Sequence, residues 1–165
     1  MKKTKEAFIW VVEILKAHKI PYRISGGFAA RIYGTKRPLA DIDIEVPDKY
    51  VDKILPHVQN FVVRGPARFK DKNWDIYLLT IKYKGQMIDF SGTDTEKLFS
   101  RKRNRWVKFS ADFPKVTRKK VYGKTVNVIR KEDLIYYKNI IRRRVDIKDI
   151  KELSGGLFLR KVKKK

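Results

Sequence analysis

Asp41 and Asp43 stand two residues apart in Ala40–Val46, where Ile42, Ile44 and Val46 alternate with Asp41, Asp43 and Glu45 before Pro47. Strict alternation predicts a half-buried strand, and residues i and i+2 of a strand project from one face. Two carboxylates held in that way repel each other unless a cation lies between them. Magnesium suits such a pair, because it binds few protein carboxylates and completes its shell with water and phosphate oxygens. A second feature suits phosphate. Ser25-Gly26-Gly27 separates the short run Tyr22-Arg23-Ile24 from the helical composition of Phe28–Tyr33. At a strand-to-helix turn without Cβ atoms, backbone N–H groups can approach phosphate oxygens closely. Taken singly, an Asp-x-Asp is usually the wet face of a strand and a Gly-Gly pair only a turn. Together they point to a polyphosphate held with metal.

The surrounding elements must position those residues. Phe8, Val11, Val12 and Leu15 share one stripe of a helix predicted over residues 5–18, with Thr4 as its N-cap. Asp48 reads as the cap of a second helix carrying Val51, Ile54, Leu55 and Val58, followed by a short strand at Phe61-Val62-Val63 and a charged loop from Gly65-Pro66. Hairpins are predicted around Lys84-Gly85, between Ile76–Tyr83 and Gln86–Phe90, and around Gly123-Lys124, ahead of Val126–Ile129. Residues 94–118 show no clear period. Helical spacing returns in Glu132–Arg143 and again from Asp146 to Leu153. The expected fold class is α/β (α+β): a small mixed twisted sheet backed by helices. Residues 1–130 form the expected core and 131–165 a C-terminal helical extension whose basic tail, 160–165, should fray.

The 165 residues include 41 Lys and Arg against 18 Asp and Glu, a formal charge of +23. Such a field attracts polyanions, so nucleotides and nucleic acids are natural partners. A charged-residue content of 36% also fits a heat-adapted surface, although heat adaptation by itself enriches both signs. The absence of cysteine excludes a disulfide framework, a thiolate nucleophile and a Cys-based zinc site. No apolar run approaches the roughly 18 residues of a membrane span. Glu6 and Glu13 interrupt the apolar start Phe8-Ile9-Trp10-Val11-Val12, so it does not read as a signal peptide, and a cytoplasmic location without membrane contact is expected.

Gly26-Gly27-Phe28-Ala29-Ala30, Tyr33-Gly34, Arg37 and Asp41-Ile42-Asp43-Ile44 together resemble the DNA-polymerase-β-like nucleotidyltransferase superfamily. Within it they look most like the lincosamide and aminoglycoside nucleotidyltransferases and the abortive-infection toxin nucleotidyltransferases. The resemblance covers residues 22–46 and, more loosely, Glu132–Lys138, Arg142–Arg144 and Asp146–Asp149. It implies transfer of a nucleoside monophosphate from a nucleoside triphosphate to a hydroxyl acceptor, with two magnesium ions and release of pyrophosphate.

By that resemblance Asp41 and Asp43 bind both metals, and a third acidic residue on a neighbouring strand joins them and takes the acceptor's proton. Asp89, in Met87-Ile88-Asp89-Phe90, is the expected third residue because its apolar neighbours suggest a central strand. Asp75 is the rival. Ser25, Gly26, Gly27, Arg37 and Lys138 are expected to bind the nucleotide, Lys138 on the looser C-terminal likeness. His18 and His57 fall in the last turns of predicted helices and receive no role. Of the tryptophans, Trp106, amid arginines, is the candidate for stacking on a base. The acceptor classes are an RNA 3′ end, favoured by the charge, a protein side chain, or a small molecule. The alternative is a non-catalytic nucleic-acid-binding module of the same fold, with Arg101–Arg105, Arg118–Lys120 and Arg142–Arg144 tracking phosphates.

Overall fold

The computed structural model describes residues 2–155, so the basic tail 160–165 lies outside the described residues. The chain opens with α1 (Lys2–Ala17), β1 (Arg23–Ser25), α2 (Gly26–Ile32), β2 (Asp41–Val46) and α3 (Asp48–Val58). Six strands follow: β3 (Val62–Lys70), β4 (Trp74–Tyr83), β5 (Gln86–Ser100), β6 (Arg105–Lys108), β7 (Val116–Val121) and β8 (Lys124–Ile129). Two helices, α4 (Lys131–Ile141) and α5 (Arg144–Leu153), close the described chain. The strands form one mixed sheet in the order β3-β4-β5-β2-β1-β8-β7, with β6 paired to β5. Only β2 with β5 and β1 with β8 run parallel; the other pairs are antiparallel.

Alternation along β2 sorts its side chains. Ile42, Ile44 and Val46 are buried in the main core with Ile88 and Phe90 of β5, while Asp41, Asp43 and Glu45 take the opposite face. Phe8, Val11, Val12 and Leu15 bring α1 onto that core, and Phe28, Val51 and Ile54 bring α2 and α3. Full burial of each such side chain contributes roughly 1.5–3 kcal/mol, which is what holds short strands like β1 in place. Leu134 of α4 and Leu153 of α5 belong to the same core. The far side of α4 packs Tyr137, Ile140 and Ile141 with Leu98 and Phe109 in a second cluster. The C-terminal helices are thereby clamped to the sheet at two places.

Several local expectations are corrected. Thr4 lies inside α1, and its buried hydroxyl donates to Gln86 Oε1 at 2.7 Å instead of capping the helix. Asp48 does not cap α3 either. Its carboxylate accepts from Asp94 N at 2.9 Å and Thr95 Oγ1 at 2.7 Å, while Asp94 Oδ2 accepts Asp48 N, so the residue ties α3 to β5. The chain after Gly65-Pro66 is not a loop: β3 continues to Lys70 through register shifts on the sheet edge. An edge strand tolerates proline because the missing N–H has no ladder partner to satisfy. The second hairpin turns at Tyr122-Gly123, one residue earlier than expected, with φ of 48° and 81°. Helix α5 starts at Arg144 because Asp146 occupies its third position and accepts Arg143 N at 3.0 Å, satisfying the helix start from within.

Among the described residues no helix is long and apolar enough to cross a membrane.

Candidate functional site: three carboxylates beside a glycine turn

The parallel register of β2 and β5 sets Asp43 directly beside Asp89. Asp41, Asp43 and Asp89 each offer a carboxylate oxygen within 4.8 Å of the others. Across the antiparallel pairing, Ser25 faces Asp43, so the glycine turn opens over the same spot. These residues line one end of a cleft of 650 Å³. Burial, then the charges of Asp41 and Asp89, push the Asp43 carboxyl up to about 8, against the lowering effect of Gly27 N–H and Lys138. Burial and Asp41 likewise raise Asp89, while a hydrogen bond from Thr80 Oγ1 lowers it. Three acidic groups this close, with no cation among them, are electrostatically frustrated. Their oxygen-only donor set and mutual repulsion fit a divalent magnesium ion, which would offset both.

Glycine is required at the turn. Gly26 sits at φ 58°, and a Cβ there would collide with the Asp43 carboxylate. A Cβ on Gly27 would meet the Arg37 guanidinium. Gly27 N donates to Asp43 Oδ2 at 3.0 Å, so one amide expected to serve phosphate instead orients the carboxylate. Ser25 Oγ is buried at the cleft wall without a hydrogen-bond partner among the described residues. Gly26→Ala is expected to lower the melting temperature by about 5 °C or more, since it adds φ strain and displaces Asp43. A thermal melt checks this, and an unchanged melting temperature would refute the steric reading.

The cations differ from expectation. Arg37 lines the cleft, and its Nε donates to Asp149 at 2.9 and 3.0 Å. Lys138, expected on the triphosphate, is fully buried and is absent from the cleft wall. Its Nζ lies 2.9 Å from Asp149 and 3.4 Å from Asp146. Enclosed by these two carboxylates, Lys138 links α4 to α5. Arg143 completes the chain of pairs, with Nε 2.7 Å from Asp146 and its guanidinium over the Trp74 ring at 4.6 Å. Burial would raise the Asp146 carboxyl, but the Arg143 hydrogen bond and the charges of Arg143 and Lys138 hold it below the ordinary value.

Arg143 and Trp74 are cleft-lining residues that the motif did not single out. The one signal was Arg143's place in the basic run Arg142–Arg144, which does not say which arginine turns inward. Asp75 lies at the start of β4, paired with Arg68 and Lys70, and is not part of the acidic group. Trp106 of β6 packs against Phe99 of β5 and is not among the residues that line the cleft. Trp10 stacks on Tyr83 at 4.0 Å as part of the core, and His18 stacks on His57 at 3.5 Å between the ends of α1 and α3.

The same arrangement of strands and helices recurs in solved structures. A Thermotoga maritima protein classed as a nucleotidyltransferase superposes with a TM-score of 0.66 at 16% identity, over 79% of this chain and 80% of that one. A lincosamide antibiotic adenylyltransferase with lincomycin bound gives 0.60 at 14% identity, over 92% and 96%. The fold is that of the nucleotidyltransferases. ANT(2″)-Ia in complex with adenylyl-2″-tobramycin also shares it, with a TM-score of 0.56 at 14% identity over 97% of this chain and 92% of that one. No family model matches the sequence, and no curated protein matches it significantly. The nucleotidyltransferase fold here therefore rests on three-dimensional likeness, and what is done on it must be argued from the site.

Proposed function

We propose that the chain is a magnesium-dependent nucleotidyltransferase that moves a nucleoside monophosphate from a nucleoside triphosphate to a hydroxyl acceptor and releases pyrophosphate. The convergence of Asp41, Asp43 and Asp89 beneath the Ser25-Gly26-Gly27 turn carries this reading. Asp41, Asp43 and Asp89 would hold the metal, whose chemistry is to offset charge on the attacking and departing oxygens. Asp89, partly exposed in the cleft beside Asp43, is the carboxylate placed to accept the proton of the acceptor hydroxyl. Ser25 Oγ has its hydrogen-bonding capacity free for a phosphate oxygen. Arg37 and Arg143, held in place by Asp149 and Asp146, face the charge that gathers on pyrophosphate. Magnesium with labelled nucleoside triphosphates, offered to RNA, protein and small-molecule acceptors together, tests the reaction and its acceptor. No transfer from any of the four nucleotides would refute it.

Triphosphate and magnesium together are expected to raise the melting temperature, and neither alone to do as much, because a ligand that binds only the folded state stabilises it by mass action. An equal shift with and without metal would replace the carboxylate site by simple attraction to a basic surface.

The charge of +23 favours an RNA end as the acceptor. The antibiotic-bound neighbours support a small molecule instead. The same charge supports a second reading, a basic nucleic-acid-binding module without catalysis. In either case RNA affinity is expected to fall at least tenfold between about 50 and 200 mM salt, with little sequence preference, as phosphate contacts release counterions. A filter-binding series checks it, and an affinity constant across that range would remove the RNA proposals.

A further inference from the structure

The cleft holds a second group of acidic side chains besides the metal-binding carboxylates. Glu45 and Glu96 both reach its wall, and they are only 4% and 2% exposed. Arg23 stands opposite Glu45 in the strand register and donates to it through Nε. Glu96 Oε2 has no hydrogen-bond partner among the described residues, and neither has the buried Arg23 NH2. Glu45 is thus paired with Arg23, while the equally buried Glu96 has no ion-pair partner among the described residues. Leaving a buried acceptor unsatisfied costs about 1–3 kcal/mol, and more for a charged one, so such an atom calls for a partner. Burial pushes the Glu96 carboxyl well above the usual range, and the nearby charge of Glu45 adds to the effect.

Trp74, Ile76, Leu78 and Tyr137 line the same cleft, with the Arg143 guanidinium over the Trp74 ring. Trp74 Nε1 donates to the Tyr137 hydroxyl at 2.8 Å, so the indole's only donor is spent within the wall. The cleft thus combines flat aromatic and aliphatic surfaces with buried carboxyl oxygens. The group that complements it is planar and carries N–H donors on one edge. Glu45 is two residues beyond Asp43 on β2, a rise of about 7 Å, so the slot is set apart from the metal-binding carboxylates yet continuous with them.

We propose that Glu96, with Glu45 beside it and Trp74 as a wall, forms a subsite for a planar N–H-bearing group of one of the two substrates. Its source is either the amide and amine edge of a nucleobase or an amidine-like group on the acceptor. The proposal rests on the cleft being the substrate site of the reaction above.

Calorimetric titration of the chain with guanosine, inosine, adenosine, uridine and benzamidine tests it without metal or triphosphate. At a pH high enough to ionise Glu96 despite its raised pKa, guanosine or benzamidine is expected to bind at least tenfold more tightly than adenosine, whose edge sets a lone pair against the carboxylate. Glu96→Gln and Glu96→Asp should each cost about tenfold or more in that binding, the first by turning an acceptor into a donor and the second by withdrawing it. Binding of guanosine assigns the slot to the nucleobase, and binding of benzamidine without guanosine assigns it to the acceptor. Either result supports the subsite. Failure of every probe to bind, or affinities unchanged in whichever Glu96 variant melts like the parent, overturns it and leaves Glu96 as a buried structural residue. Stabilisation by triphosphate and magnesium, measured on the same proteins, keeps the two proposals apart. If it persists while the slot binds nothing, the subsite alone is wrong; if it too is absent, the nucleotide site is wrong.

Discussion

Asp41→Asn and Asp43→Asn should each lower nucleotidyl transfer by on the order of a thousandfold or more, the scale of losing charged stabilisation at the reacting centre. The fold should survive, because an amide keeps the shape of the carboxylate and Ile42 and Ile44 still hold β2 in the core. Stability should move the other way. Burial and the neighbouring carboxylates push the Asp43 carboxyl up to about 8 in the folded chain from an ordinary 3.8, so the folded state holds this proton more tightly than the unfolded state. Without metal, the resulting contribution to stability is complete below about pH 4 and is lost as the pH climbs to about 8. Asp43→Asn removes that loss, so its advantage over the parent grows across this window and reaches about 5 °C or more at the top. Asp89→Asn should also abolish transfer while still allowing triphosphate binding, and Asp75→Asn, remote from the cleft, should leave transfer unchanged. Transfer rate and melting temperature of the four variants, followed against pH, check all of this. Full activity in Asp41→Asn or Asp43→Asn would end the metal mechanism. Activity lost in Asp75→Asn but kept in Asp89→Asn would return the third position to Asp75.

Lys138→Met should destabilise the chain by about 3 kcal/mol, or roughly 10 °C in melting temperature. Removing one member of a buried ionic network leaves its partners desolvated, and here Asp146 and Asp149, both fully buried, lose a shared cation. Arg143 and Arg37 still pair with them, which keeps the cost at the lower end of the range for broken buried pairs. The loss should be nearly independent of salt, because screening acts on exposed charges far more than on buried ones. Replacing Asp149 by Asn in the same protein should recover part of it. A melting temperature unchanged in Lys138→Met would show that this lysine is not a hub and would return it to the list of triphosphate ligands. The network also joins α4 and α5 to the cleft, since it sets the directions of Arg37 and Arg143. Transfer in Lys138→Met should therefore require more nucleotide to saturate even where the protein stays folded.

Local rules account for much of what could be read in advance. The alternation in Asp41–Val46 is a period-two pattern that only a half-buried strand satisfies, and it put the two carboxylates on one face whatever surrounded them. In both hairpins a glycine, Gly85 or Gly123, takes the second turn position at positive φ, while Lys84 and Tyr122 are held at positive φ by the turn itself. The long β5 was half hidden, because beyond Phe90 its residues Ser91–Glu96 are polar or small and their order comes from pairing with β4 and β6. The charge of +23 and the lack of cysteine narrowed the chemistry before any element was placed.

What the sequence determined by itself was therefore whatever depends on near neighbours or on composition: the acidic strand face, the glycine turn over it, the helical stripes and the net positive charge. Only the tertiary structure decided which distant groups meet. Pairing register brought Asp89 beside Asp43 and left Asp75 with Arg68, and a slip of one residue would have turned Asp89 to the other face. Burial then separated cations that look alike in the sequence. Lys138 is locked between Asp146 and Asp149, while Arg37 and Arg143 reach the cleft, because desolvation and pairing depend on surroundings that no local spacing encodes.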